Sequence, residues 1–276
     1  MASIKSLLLE AAQQLAAMSE TPRLDADCLL SFVLSCSRTY LMTYPEQPVM
    51  PAQQHVFSSL LERRLQGEPV AYLVGQQEFY GLTLSVSPAV LIPRPATEAL
   101  VDWILQQRSL TATRVLELAT GSGAIAIALA HARPSWQVVA TDISQAALAV
   151  AQANAERHQL ASISFIESDW FASIPSQRFD LVVANPPYIA DSDPHLLSLG
   201  HEPRTALVAE DHGLADIRQI LQQARAYLAD DGVLLIEHGF DQGEQVVQMA
   251  KELGWQSPQC CRDLAGMPRF LLAFAG

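Results

Sequence analysis

Residues 114–130, RVLELATGSGAIAIALA, change character twice within one short run. An apolar strand-like pentapeptide, Arg114 to Leu118, meets two glycines spaced by one residue, Gly121 and Gly123. A small, uninterrupted apolar stretch follows. Glycine has no Cβ and permits a tight turn, and a helix starting there directs its unpaired N–H groups at the turn. Strand, glycine turn and helix make the first half of a βαβ unit. Downstream, WQVVATD (136–142), SISFIE (162–167), FDLVVAN (179–185), GVLLIEH (232–238) and the terminal RFLLAFAG (269–276) read as further strands. Between the first five lie helical stretches such as residues 144–158 and 214–228. Continuous apolar strands alternating with helices predict an α/β, doubly wound, mostly parallel sheet covered on both faces. Ligands of such sheets sit beyond the carboxyl ends of the strands, near the switch in strand order.

The first 75 residues read differently. Ile4, Leu7, Leu8, Ala11 and Leu15 share one helical face, interrupted by Glu10, Gln13 and Gln14, which indicates an amphipathic helix of the mature protein and not a signal peptide. In RLDADCLLSFVL (23–34) and the next residues, Leu24, Cys28, Phe32 and Cys36 form a second stripe. Val56, Phe57, Leu60, Leu61 and Leu65 form a third after Pro51. Residues 1–75 therefore form a small helical domain, which serves either as packing or as docking for a macromolecule. Leu82, Leu84 and Val86 alternate with Thr83, Ser85 and Ser87 and make residues 76–95 a β-hairpin connector. Residues 96–276 carry the α/β domain, its first helix opening near Pro95.

Bulk properties narrow the function. Seventeen Lys and Arg against 29 Asp and Glu give a net charge of −12. Nucleic-acid binders gather positive charge to neutralise phosphates, so a long polyanion is a poor substrate. No run approaches the roughly 20 apolar residues needed to cross a bilayer. Cys28, Cys36, Cys260 and Cys261 form no C-x-x-C pair, which suits a reduced, cytoplasmic compartment. Cys260-Cys261 reads as part of a buried strand and its edge. His195, His201 and His212 match no metal spacing, and no metal is expected.

The strand ends hold the chemistry. Gly121, Gly123 and Ala126 literally match G-x-G-x-x-A, the dinucleotide fingerprint. Asp142, about 20 residues on, ends the second strand and can take both hydroxyls of a ribose. Asp169 and Trp170 after the third strand suit an adenine, with a carboxylate for its amine and an indole for stacking. The fourth strand ends in Asn185-Pro186-Pro187-Tyr188. Prolines cannot donate, and Asn185, preceding proline, is held extended. The corner offers acceptors, the Asn185 side-chain oxygen and backbone carbonyls, beside an aromatic ring. Such a corner fits the two N–H donors of a planar –NH2 group, aims its nitrogen lone pair out of plane, and suits methyl transfer to an amide or aromatic amine. NAD remains a rival for the glycine loop, but leaves this corner unexplained.

With Glu117 four residues before Gly121, the loop resembles motif I of class I methyltransferases, acid-x-Gly-x-Gly-x-Gly. It departs at Ala119, whose Cβ predicts an ordinary negative φ. Together with residues 63–101 (RRLQGEPVAYLVGQQEFYGLTLSVSPAVLIPRPATEALV), HEPRTALVAEDHGL (201–214) and LLIEHGFDQGE (234–244), the chain resembles the peptide-chain-release-factor glutamine N5-methyltransferases, the HemK/PrmC family. The resemblance implies a seven-stranded, Rossmann-like methyltransferase sheet. It implies S-adenosyl-L-methionine as methyl donor, with S-adenosyl-L-homocysteine as product, held by Ala119, Thr120, Gly121, Ser122, Gly123, Asp142, Trp170 and Asn185. It implies a substrate glutamine amide, in the Gly-Gly-Gln motif of class I release factors, met by Asn185, Pro186, Pro187 and Tyr188, with Asn185, Pro186 and Tyr188 catalytic. The N-terminal helices would then dock the release factor. Ala96 stands where the family has an acid, and Arg94 and Glu98 receive no catalytic role. DNA or rRNA amino-methyltransferases, acting on adenine N6 or guanine N2, share the tetrapeptide and form the alternative; a non-catalytic module on this fold would have no use for an intact Asn185 and Asp142. Residues 190–212, with little periodicity after the corner, are expected to cover the substrate entrance.

Overall fold

The computed structural model describes residues 2–107 and 114–276. They divide into two compact units, Met1–Gln76 and Gln77–Gly276. The first comprises α1 (Ile4–Leu15), α2 (Pro22–Leu34), α3 (Arg38–Thr43), α4 (Pro51–Leu65) and α5 (Val70–Val74). Ser3 caps α1 by accepting from the Ser6 amide, as a short side-chain oxygen before a helix does. On α1, Ile4, Leu8, Ala11 and Leu15 are buried, as the spacing predicts.

α2 corrects the sequence reading. Leu24 and Phe32 are exposed, and the buried face carries Asp25, Ala26, Asp27, Leu29 and Leu30. An apolar count cannot find a face that buries two carboxylates. They are tolerable because each is paired: Asp25 accepts from Arg64 Nε at 2.9 Å and from the Ser19 and Thr21 hydroxyls, and Asp27 from Arg23 Nε at 2.9 Å. On α4, Phe57, Leu60 and Leu61 face inward, whereas Val56 and Leu65 lie exposed.

In the second unit, β2 (Leu82–Ser85) pairs with β1 (Gln76–Phe79), followed by α6 (Pro95–Gln106), β3 (Arg114–Leu118), α7 (Ala124–Ala132), β4 (Gln137–Asp142), α8 (Gln145–Arg157), β5 (Ile163–Glu167) and β6 (Phe179–Ala184). Two short strands, β7 (Ile189–Ala190) and β8 (Val208–Ala209), pair with each other. Then come α9 (Glu210–Gly213), α10 (Ala215–Gln223), β9 (Leu228–Glu237), α11 (Gly243–Glu252), β10 (Gln256–Arg262) and β11 (Pro268–Phe274). The central sheet has seven strands in the order β10-β11-β9-β6-β3-β4-β5, with β11 antiparallel to both neighbours.

Alternate residues of the same strands feed two cores, because side chains on a strand point to opposite faces. Val115, Leu181, Val183 and Leu235 pack with α6, α7 and α8, and Leu116, Leu118, Val182 and Ile236 pack with α10 and α11. The chain leaves β3 toward β4 on one side, and β6 lies on the other, so the switch in strand order falls between β3 and β6. Leu118 there pairs with Ala184, which brings the glycine loop and the Asn-Pro-Pro-Tyr corner side by side.

Cys260 and Cys261 lie on β10, an edge strand; Cys260 is exposed and Cys261 only half-buried, so neither is a core residue. All four cysteines are free.

Candidate active site

The loop after β3 is built around a buried carboxyl. Glu117 Oε2 accepts from the Thr120 hydroxyl at 2.6 Å and from the Ala126 amide at 3.0 Å. It thereby ties the turn to the first turn of α7, where unpaired N–H groups need partners. The Thr120 amide donates to the Thr141 carbonyl at 2.8 Å, locking the loop to β4. Burial pushes the Glu117 carboxyl up to about 8.

Ala119 departs from expectation. Its φ is +54°, in the left-handed region, not negative. The turn between two pinned residues, Glu117 and Thr120, demands that conformation, so the glycine this position lacks would be the unstrained choice. An L-residue there is strained by about 1–2 kcal/mol, and glycine returns part of that through extra unfolded-state entropy. Ala119→Gly is expected to stabilise the fold by roughly 0.5–1 kcal/mol, seen as a small rise in Tm. An unchanged or lower Tm would show that the loop relieves the strain otherwise.

Asp142, ending β4, accepts from the amides of Gly121 and Ser144, each at 2.9 Å, one on each oxygen. Burial raises its pKa. Each oxygen keeps lone-pair capacity for a further donor.

A cavity of about 460 Å³ opens over these loops. Thr120, Gly121, Ser122, Asp142, Asp169 and Trp170 line it, with Ala119, Asn185 and Pro187. Gly123 does not; it caps α7 at φ +82°, where a Cβ would lie 3.0 Å from Ile127 and 3.1 Å from Ala151. A second, smaller cavity of about 200 Å³ is lined by Leu91, Arg94, Pro186, Tyr188, Leu199 and Leu207 among others. Leu91, Asn185 and Ala206 line both, and Asn185 is the polar member of that shared wall. The structure thus brings together the sequence-derived site residues other than Gly123, divided between two neighbouring spaces with Asn185 at the junction.

The corner is held from behind. Asn185 Nδ2 donates to Thr97 Oγ1 at 3.5 Å, and the Tyr188 hydroxyl donates to Glu237 Oε1 at 3.2 Å. The Tyr188 carbonyl is taken by Gln242 Nε2 at 2.9 Å. Burial and the neighbouring Glu237 charge raise the Tyr188 pKa, so the phenol stays protonated. Burial pushes Glu237 up to about 7.

Thr97, Glu237 and Gln242 had no assigned role in the sequence reading. Glu237 carried a signal, as an acid closing an apolar strand. Glu98 accepts from the Tyr80 amide at 2.9 Å, a connector contact. Residues from 190–212 line both cavities, through Pro203, Thr205, Ala206 and Leu207. They are fastened by Glu202, which is buried, pairs with Arg94 and accepts from the Ile92 amide at 2.9 Å. His195 pairs with Asp193. Among the described residues no cluster of three or more His, Cys, Asp or Glu could hold a metal ion, and no helix is long and apolar enough to cross a membrane.

The fully buried Glu117 and Glu237 carboxyls set a pH dependence. In the unfolded chain both ionise near 4.5, so the folded state binds more protons between that value and about 8. Stability then falls as pH rises through 7 and 8. His238, whose pKa burial lowers from 6.5, acts in the opposite sense and below that pH, where the unfolded chain binds the additional proton. Tm is expected to be lower at pH 8.5 than at 6.5, with the slope reduced in Glu117→Gln. A Tm that rises over the interval would contradict the assignment.

A family model described as PrmC N-terminal domain matches residues 6–75, and one described as methyltransferase small domain matches residues 94–201. A release factor glutamine methyltransferase of Coxiella burnetii is 46% identical, covering 100% of both chains. That of Escherichia coli is 44% identical over 96% of each. Among solved structures, a T. thermophilus 16S rRNA methyltransferase in complex with AdoMet and guanosine is similar in fold, with 21% identity, a TM-score of 0.53, and coverage of 72% of this chain and 49% of that one. Matched end to end at nearly half its positions, the chain belongs to the release factor glutamine methyltransferase family.

Proposed function

We propose that this protein methylates the side-chain amide nitrogen (N5) of the glutamine in the Gly-Gly-Gln motif of class I peptide chain release factors, using S-adenosyl-L-methionine. The observation that carries the reading is Asn185, the polar residue shared by a large cavity lined by the glycine loop and a small one at the surface of the Pro-Pro corner. The large cavity fits the donor chemically. Asp142 offers carboxylate oxygens to ribose hydroxyls and Trp170 a ring face to adenine, and the Ala119–Ser122 backbone lines the space beside them. When bound, the donor supplies a methyl group on a sulfonium.

The chain's part is positioning. Because Asn185 gives its –NH2 to Thr97, its Oδ1 is left to accept. The Tyr188 carbonyl is partly committed to Gln242, and the acceptors assigned to the substrate are Asn185 Oδ1 and the Pro186 carbonyl. Two acceptors fix both hydrogens of a primary amide and leave the nitrogen lone pair directed across the shared wall. Tyr188 lends its ring to the planar amide. Holding reactants in such a geometry converts a bimolecular encounter into a unimolecular one. The helical unit docks the release factor, and the protein works in the cytoplasm, where free cysteines stay reduced.

The test offers labelled S-adenosyl-L-methionine with release factor, DNA or ribosomal RNA. Label is expected on the release factor's Gly-Gly-Gln peptide alone. Transfer only to nucleic acid would overturn the reading.

A further inference from the structure

The small cavity is poor in hydrogen-bond donors. Its wall is mostly apolar, with Leu91, Ile189, Leu199 and Leu207, and Pro186 has no N–H to give. The amides of Ile189, Ala206 and Leu207 are spent on the carbonyls of Leu207, Pro203 and Arg204, all within the 190–212 segment. Three of the side chains lining the cavity carry N–H or O–H donors: Arg94, Asn185 and Tyr188. Asn185 gives its –NH2 to Thr97, and Tyr188 gives its hydroxyl hydrogen to Glu237. Arg94 gives one guanidinium nitrogen to Glu202. A guanidinium carries five N–H donors, so Arg94 holds most of the uncommitted ones in this cavity.

Two devices aim that guanidinium. Arg94 stands between Pro93 and Pro95, and at φ −101°, ψ 141° it has the extended backbone to which a residue before proline is held. Further out, Glu202 accepts the guanidinium on Oε1 and the Ile92 amide on Oε2, the latter at 2.9 Å. The Glu202 side chain is 2% exposed, whereas that of Arg94 is 37% exposed. A buried carboxylate without its partner is strongly disfavoured, so Glu202 keeps the guanidinium in one place.

We infer that Arg94, aimed by Glu202, is a substrate-binding residue that donates to a backbone carbonyl of the Gly-Gly-Gln segment. The inference deepens the proposed methyl transfer and rests on it. Glycine has no side chain, so a segment of two glycines and a glutamine is recognised largely through its backbone. The carbonyls of that backbone need donors, and in this cavity Arg94 supplies them. Charge agrees with the assignment. Arg94 and Glu202 are neutral as a pair, which favours a dipole such as a carbonyl over a phosphate, in keeping with a protein substrate. Labour is then divided across the cavity. Acceptors at the corner fix the reacting nitrogen, and the donors of Arg94 fix the chain that carries it. The corner alone could hold any primary amide, whereas the two together select an amide borne on a peptide backbone.

The experiment uses the full chain with intact release factor and S-adenosyl-L-methionine. It measures steady-state methylation, cofactor affinity by calorimetry, and the Arg94 Nε–H signal by NMR. Arg94→Met keeps an unbranched stem and loses every donor. It is expected to raise KM for release factor by about 10- to 100-fold, the worth of a hydrogen bond from a charged donor. Turnover at saturation and cofactor affinity should stay nearly unchanged, the pattern of an interaction made equally in ground and transition states. In the wild type, the Arg94 Nε–H signal should shift when release factor is added in the presence of S-adenosyl-L-homocysteine.

A wild-type KM in Arg94→Met, a loss confined to cofactor affinity, or an unmoved Arg94 signal on binding would each overturn the inference. The NMR titration decides it if Arg94→Met fails to fold. The two levels separate cleanly. If the wild type leaves release factor unmodified, the substrate reading fails and takes the inference with it. If the wild type methylates release factor and Arg94→Met does so with the same KM, the inference fails alone.

Discussion

Replacing Asn185 by alanine is expected to lower kcat/KM for release-factor methylation by about 10²- to 10³-fold, the range seen when one preorganised hydrogen-bonding group is removed from a reacting centre. Two features concentrate the effect at this side chain. It is the polar member of the wall common to both cavities, and its rigid backbone precedes a proline. Truncation removes an acceptor and also enlarges the gap across which the methyl must pass. The donor should still bind, since Asp142, Trp170 and the glycine loop are untouched. The loss therefore belongs in kcat more than in cofactor affinity. Mass spectrometry of the tryptic peptide bearing Gly-Gly-Gln reads it directly: one added methyl with the wild type, almost none with the variant. A fully active variant would remove the amide clamp from the mechanism.

Gly213→Ala is expected to be among the most damaging single-methyl additions in the chain. Gly213 has φ +86°, and a Cβ there would lie 2.1 Å from the Tyr188 carbonyl oxygen and 2.8 Å from Gln242 Nε2. Left-handed backbone contributes about 1–2 kcal/mol and overpacking about 1–3 kcal/mol, giving roughly 2–5 kcal/mol of destabilisation. At about 2–4 °C per kcal/mol for a chain of this size, Tm should drop by on the order of 5–15 °C. The atoms in the way belong to the corner, so whatever folds should also turn over slowly. Gly266 supplies the control, with φ +79° and nothing within 4 Å of an added Cβ. Gly266→Ala should show only the smaller backbone effect. Equal shifts in thermal unfolding for the two variants would mean that the Tyr188 contact is slack.

Much of this was readable before the coordinates, and the reasons differ by element. Strands β3, β4 and β6 lie inside the sheet and are largely buried, so their apolar runs stand out in sequence, and the ends of β4 and β6 carry Asp142 and Asn185 in view. Cys260-Cys261 was read as part of a strand, but its burial was overestimated, because β10 lies at the edge of the sheet and QSPQCCR (256–262) buries little surface. The face of α2 was misjudged because two carboxylates are buried on it, Asp25 against Arg64, 39 residues on, and Asp27 beside Arg23 one turn back on the same helix. Ala119 was misjudged for a related reason: φ there is imposed by pins at Glu117 and Thr120, not by the residue itself. Gly213 gave no sign at all. Its requirement comes from a carbonyl 25 residues earlier, a proximity that only the fold creates.

The Gln242 bond to the Tyr188 carbonyl has a consequence for arithmetic at the active site. With one lone pair of that oxygen already spent, Asn185 Oδ1 and the Pro186 carbonyl are the acceptors proposed for the substrate, so the corner would count to two. An unmodified glutamine amide brings two hydrogens and matches. Its methylated product brings one, so a bound product leaves an acceptor unpaired, at about 1–3 kcal/mol. The same subtraction that loosens the product also disfavours its return for another round. On the proposed clamp, the corner should therefore favour a fresh substrate over a finished one, which disfavours a second methyl on the same nitrogen.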